Sequence, residues 1–421
     1  MKSAVRHFAA FGGRPIFERP LHVGAPNVID TESLVTELRS VLMSGTLTNN
    51  GPRVREFESV VAAMTNSRNC VATCNATVAL QIVARAMDLT GEVILPSFTF
   101  IATAHAMQWV GLTPVFADVD PVSHTLCPVS AAQCISARTS ALLPVHLWGN
   151  SCDVESLSEL AERHNLKLFF DASHAFNCRR NQRPIGTFGQ AEVFSFHATK
   201  FVHAVEGGAI VTNNDELAER CRMLRSFGFS CMSEVSDVGT NAKMNELCAA
   251  VGLKSLDLID LLQSINRRNQ QSYRRHLSGV SGVRLIDRNA NDFTNGQYVV
   301  LMIDENAFGL SRDQVIRFLR AEGIFARAYF SPGCHRAEPY CRSALHTPVP
   351  LPITEQLAAN IMQLPTGSAL GNEQIQAVCH LLQRLHRQRR EVSREIERRG
   401  GQLASHPHDP LISAPLLREA A

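Results

Sequence analysis

No run of apolar residues in the 421-residue chain approaches the length of a membrane span. The opening Met1-Lys2-Ser3-Ala4-Val5-Arg6-His7 lacks the apolar stretch of a secretory signal. From these two absences we expect a cytoplasmic protein with no membrane partner. An excess of one charge is missing too. Lys and Arg number 41 against 39 Asp and Glu, a net of +2, so no basic field argues for nucleic acid. Twelve cysteines are present, yet no Cys-x-x-Cys pair. Most sit inside apolar runs (Cys70, Cys74, Cys127, Cys134, Cys248), as buried free thiols of a reducing compartment do, and neither disulfides nor a metal are expected. His406-Pro407-His408 has no further ligands and is read as incidental. No internal repeat is visible.

What is present is an ordinary globular composition, 45% apolar and 19% charged, on a chain long enough for two domains. The chain is organised around residues 171–208. Lys167-Leu168-Phe169-Phe170 reads as a buried strand ending on Asp171, followed by Ala172-Ser173-His174. A second strand candidate, 191–196, delivers a hydroxyl, an imidazole and an amine within six residues: Ser195, His197 and Lys200. Glu206-Gly207-Gly208 and a third apolar run, 209–212, follow. An Asp on a strand and a Lys about thirty residues later suit pyridoxal phosphate (PLP). The Lys can bond the aldehyde, and the Asp can keep the pyridine nitrogen protonated. The plainer alternatives are a solvated Lys and a helix-capping Asp.

A third element answers to a phosphate. The strand-like run 69–74 meets a polar junction, Asn75-Ala76-Thr77, and then a helix of good formers. Free N–H groups, the Thr77 hydroxyl and the positive helix end make an anion site there, alongside simple N-capping by Asn75. Strands 92–96, 114–119 and 141–147 alternate with helices 102–110 and 153–164, which predicts a largely parallel sheet covered on both sides. Ligands in such sheets sit at the carboxyl ends of strands. Residues 73–77, 98–100 and 171–174 all fall at those ends and can therefore converge.

The rest is read more coarsely. Residues 1–30 are an arm punctuated by Gly and Pro, expected to wrap another part of the protein without regular structure. Residues 31–265 form the large domain, with a long helix over 244–262. Residues 266–385 form a smaller α+β domain, with strands at 297–303 and 324–330 and a capping box opening at Ser311. From 386 to 421 the chain is Arg-rich and then Pro-rich, and is expected to be a fraying helix and a disordered tail.

Taken in order, Thr46-Leu47-Thr48-Asn49-Asn50-Gly51-Pro52, Cys74-Asn75-Ala76-Thr77, Pro96-Ser97-Phe98-Thr99-Phe100, Asp171-Ala172-Ser173-His174-Ala175-Phe176, Ser195-Phe196-His197-Ala198-Thr199-Lys200, Glu206-Gly207-Gly208 and Gly239-Thr240-Asn241-Ala242-Lys243-Met244 resemble the DegT/DnrJ/EryC1/StrS sugar aminotransferases. The resemblance implies an α/β protein of the PLP-dependent aspartate-aminotransferase fold (type I), with a large, mostly parallel sheet domain and a smaller α+β C-terminal domain. It implies that Lys200 is the cofactor lysine and that Asp171 pairs with the pyridinium nitrogen. Ala76, Thr77 and Ser195 would hold the phosphate, Phe100 would stack on the ring, and His174 would meet the phenolic oxygen where many members have Gln. Asn241 would reach the cofactor phosphate of the neighbouring subunit, so the implied homodimer shares its active sites. The implied partners are a nucleotide-linked keto sugar and, as amino donor, L-glutamate. Within the family the likeness is to members that aminate C4 of dTDP-4-keto-6-deoxy-D-glucose on the way to an antibiotic sugar. A 3-keto-sugar or cyclitol aminotransferase, a sugar 3-dehydratase and a non-catalytic PLP-binding regulator are the alternatives. Arg53, Lys243 and Arg327 are candidates for the nucleotide diphosphate.

Overall fold

The computed structural model describes residues 4–231, 234–286 and 292–409. Its centre is a seven-stranded sheet made of β1 (Asn69–Thr73), β2 (Glu92–Pro96), β3 (Thr113–Ala117), β4 (Thr139–Leu142), β5 (Lys167–Asp171), β6 (Ala191–Ser195) and β7 (Gly208–Thr212). Across the sheet the order is β1-β7-β6-β5-β4-β2-β3. All neighbours are parallel except β7, which runs against both β1 and β6. The strands are short and apolar through their centres, and β2 and β7 are buried at every residue. Strands of that kind need cover on both faces. One apolar cluster, with Phe57, Phe170, Phe194 and Phe196, fills one side, and a second, with Val83, Met107, Phe116 and Phe169, fills the other.

Four helices bear on the site. Helix α1 (Thr31–Ser44) is capped by Asp30, whose side chain accepts from Ser33 N. Helix α2 (Pro52–Thr65) starts with Pro at its first position, where no N–H is needed. Helices α3 (Ala76–Ala86) and α4 (Ile101–Trp109) follow β1 and β2 directly.

The C-terminal part builds its own core on a three-stranded antiparallel sheet, Val283–Leu285, Val299–Ile303 and Ile361–Leu364. The predicted capping box is there: Ser311 accepts from Gln314 N, and the Gln314 side chain accepts from Ser311 N. Three expectations need correction. The helix predicted over 244–262 is two helices, Glu246–Asp257 and Ile259–Leu277, joined at Leu258. The strand predicted over 324–330 is shorter: it pairs at Ile324–Phe325, against Leu21–His22, and touches Gln363 through a single bridge at Arg327 before the chain turns toward Pro332.

The third concerns the two ends. From residue 386 a fraying helix and a disordered tail are expected, but the helix over Arg389–Arg398 is packed, with Val392 and Ile396 buried, and the described chain continues to residue 409. Residues 410–421 lie outside the described residues. The physical reason is apolar spacing: Val392 and Ile396 are four apart, on one face of an otherwise charged helix, and that face is sealed against the core. The N-terminal arm meets the same core through short 3-10 turns at Ala4–His7 and Ala9–Phe11. Phe8 and Phe11 lie edge-on to Phe318 at 5.6 and 5.3 Å between centroids.

Candidate active site

Adjacent strands align their chemistry at one end of the large sheet. Thr73 on β1 pairs with Gly208 on β7, Gly208 pairs with Ser195 on β6, and on the next strand Asp171 pairs with Val193. Because β7 is antiparallel, its first residue lies where its neighbours end. From Thr73 the chain turns into α3 directly over Gly208. A Cβ at 208 would stand 2.5 Å from the Asn75 carbonyl carbon and 2.6 Å from the Ala76 nitrogen, so only glycine fits. Asn75 caps α3 by accepting from Val78 N at 2.9 Å. The N–H groups of Ala76 and Thr77 precede the first intrahelical donor, Ala79 N, and stay available at the positive end of the helix. Ser195 stands on the far side of Gly208, its hydroxyl accepting from His197 N at 3.4 Å.

Asp171 ends β5 and is buried. Its Oδ1 accepts from Ser173 N at 3.0 Å and its Oδ2 from the Thr103 hydroxyl at 2.8 Å. Each oxygen keeps a further lone pair. Thr103 lies in the first turn of α4, and Phe100 is the residue before that helix, so the two come from one turn. The Phe100 ring is 54% exposed. A tight turn after β6, closed by Lys200 N to His197 O at 2.8 Å, returns Lys200 to electrostatic reach of Asp171. The residue keeps some surface exposure, but burial of its amine lowers the pKa to about 8, with the attraction of Asp171 working the other way. The buried His174 imidazole is held neutral. Burial first, and then the Lys200 charge, push its pKa well below the ordinary value. Its Nδ1 is buried without a partner. The ring lies roughly parallel to those of Trp148 and Phe330, at 5.6 and 6.2 Å, and those two stack on each other at 5.1 Å.

Seven of the eight residues singled out from the sequence thus belong to one strand-end cluster. Asn241 stands apart. It is exposed, accepts from Lys243 Nζ at 2.6 Å, and lies on the segment whose Ala242 carbonyl accepts from Cys74 N. Of the three diphosphate candidates, Arg53 is paired with Glu37 and Glu56 at 2.6 and 2.7 Å. Lys243 lies over the Phe227 ring, and Arg327 is exposed and donates to the Tyr329 hydroxyl. The sequence reading missed Thr103 on Asp171, Tyr298 on Lys200, and Asn295, whose amide donates to the His174 and Phe176 carbonyls. Tyr298 and Asn295 come from the C-terminal part of the chain and carry no local signal. Thr103 could have been noticed, one turn after Phe100.

As chemistry, the cluster offers an amine that is partly neutral near pH 8, a carboxylate able to hold a proton on a partner, and free N–H groups for an anion. The profile of the DegT/DnrJ/EryC1/StrS aminotransferase family matches residues 28–383. A dTDP-4-amino-4,6-dideoxy-D-glucose transaminase of Shigella dysenteriae is 33% identical over 315 residues, 75% of this chain and 86% of that protein. The Escherichia coli protein of the same name is 32% identical over 87% of this chain and 98% of its own length. The crystal structure of DesI, determined in the presence of its TDP-sugar product, superposes with a TM-score of 0.90 at 49% identity, covering 94% of this chain and all of that one. The chain belongs to the DegT/DnrJ/EryC1/StrS family and is a PLP-dependent sugar-nucleotide aminotransferase.

Proposed function

We propose that the protein transfers the amino group of L-glutamate to C4 of dTDP-4-keto-6-deoxy-D-glucose, giving dTDP-4-amino-4,6-dideoxy-D-glucose for an antibiotic sugar. On this reading it works as a homodimer in the cytoplasm, with Asn241 of one subunit serving the other's site. The observation that carries the C4 assignment is the 49% identity to DesI over the whole of that chain, together with the names of the transaminases above.

The residues present fit the cofactor. The unpartnered His174 Nδ1, the free N–H groups over Gly208 and the lone pairs left on Asp171 each await a polar group. When bound, PLP supplies the electron sink that lets an amino group leave one carbon and join another. Asp171, held by Thr103 and Ser173, would keep a proton on the pyridine nitrogen. Ala76, Thr77 and Ser195 would hold its phosphate, and Phe100 and His174 would hold its ring. Lys200 anchors the cofactor and, once freed, moves the proton at the substrate carbon as base and then as acid. With a pKa of about 8 it is roughly a tenth neutral at pH 7, so both forms are at hand.

An absorbance spectrum of the purified protein tests this. The visible band of bound PLP should bleach with glutamate and return on adding dTDP-4-keto-6-deoxy-D-glucose. Bleaching without return would remove the C4 substrate and direct attention to 3-keto sugars and cyclitols. No band after added PLP would remove the placement of the cofactor.

A further inference from the structure

We propose that Tyr298 is a positioning residue for Lys200: its phenol holds the amine in the part of the cycle when the lysine is free. The inference rests on the reading of Lys200 as the cofactor lysine. Lys200 Nζ donates to the Tyr298 hydroxyl at 3.3 Å. The two residues are 98 positions apart, one just after the turn that follows β6 and the other immediately before the strand Val299–Ile303. The contact therefore joins the large sheet to the small one at the amine.

Tyr298 is itself firmly placed. Gln270 donates to its carbonyl at 2.9 Å and to that of Gly296 at 3.2 Å. Its ring sits 4.6 Å from His174 and 5.4 Å edge-on from Trp148. The phenol stays protonated, since burial first, and then Tyr329 and Asp171, push its pKa well above the ordinary value. A neutral hydroxyl suits both states of the lysine: it accepts from the ammonium and can donate to the amine. Lysine has a flexible four-carbon stem that, once released, must be restrained to return to one carbon atom. The phenol is a fixed point that does this. Ring packing alone would not require a hydroxyl aimed at Nζ.

Tyr298→Phe keeps the ring and removes the hydroxyl. It is compared with the wild type and with Lys200→Ala, all loaded with PLP, folding being checked by elution volume and thermal midpoint. We expect the Phe variant to keep its visible band, to lose kcat by about tenfold with KM nearly unchanged, and to show a lower midpoint in the pH dependence of band formation, because the ammonium has lost an acceptor. Wild-type kcat with an unchanged midpoint would overturn the proposal. So would a drop in thermal midpoint with the pH profile unmoved, since packing alone would then account for the residue. If Tyr298→Phe fails to fold, Tyr298→His, which keeps a hydrogen-bonding ring, serves in its place: kcat falling with KM and midpoint both fixed overturns the proposal, and a shifted midpoint supports it. Lys200→Ala that retains band and turnover would overturn the Lys200 assignment and this inference together. A dead Lys200→Ala beside a normal Tyr298→Phe would sink this inference alone.

Discussion

The lysine amine at the centre of the site titrates close to neutrality, and that has measurable consequences. In cofactor-free protein, the rate of band formation with added PLP should rise with pH and level off above about 8, where an exposed lysine would still be climbing toward 10.5. Asp171→Asn removes the attraction that partly offsets burial, so its midpoint should fall below that of the wild type; an unchanged midpoint in stopped-flow traces would separate the two groups. The same shift has a sign for stability. The folded chain releases this proton more readily than the unfolded one, so between about 8 and 10.5 the unfolded state holds more protons and the cofactor-free protein gains stability from this group as pH rises. Asp171→Ala should keep its circular dichroism spectrum and lose turnover, and near-normal turnover would mean that the pyridinium assignment is wrong. Lys200, Asp171 and Thr77 were legible because each sits at a strand end or helix start that local pattern reveals. Tyr298 and Asn295 were not, because what gives them meaning is a partner 98 and 121 positions away.

At the level of elements, legibility followed where the capping group sits in the chain. Asp30, Asn75, Asp153 and Ser311 cap from the adjoining residue, so those helix starts could be read directly. Helix α2 is different. Its Gly51 cap offers no side chain, and the Arg53 and Val54 N–H groups are taken by Glu246 at 2.8 and 3.0 Å, from another helix altogether. Glu246 is buried, so Glu246→Ala strips two charge-assisted hydrogen bonds and should cost about 2–4 kcal/mol in urea unfolding. A loss below ~1 kcal/mol would mean that water substitutes for the carboxylate. The crossing of β7 under the start of α3 predicts a different outcome. In Gly208→Ala the new methyl meets backbone, which cannot swing aside as a side chain does. The helix start must lift, so urea stability should fall by about 1–3 kcal/mol, and PLP affinity should fall by at least tenfold. Retained affinity by fluorescence titration would show that the cradle tolerates displacement.

At the scale of the whole molecule, the strand alternation that specifies a parallel sheet was plain in the sequence, whereas the destination of the chain ends was not. The apolar positions of the last helix are few, and its charge suggested solvent. Yet Val392 and Ile396 complete the smaller core, Ala404 N donates to Ala10 O at 2.9 Å, and Asp409 pairs with Arg320. A chain ending at Gln388 should therefore lose about 3–5 kcal/mol of stability from those two side chains alone; an unchanged urea midpoint would show that the closing helix adds nothing. The meeting of the two ends also sets a timetable. Phe11 is made 388 positions ahead of Arg399, which covers its ring. At about 5–20 residues per second, Phe11 waits tens of seconds for it. During that interval an aromatic N-terminal segment has no permanent home, which makes the nascent chain a natural client for chaperones and gives the cell a reason to complete each copy before using it.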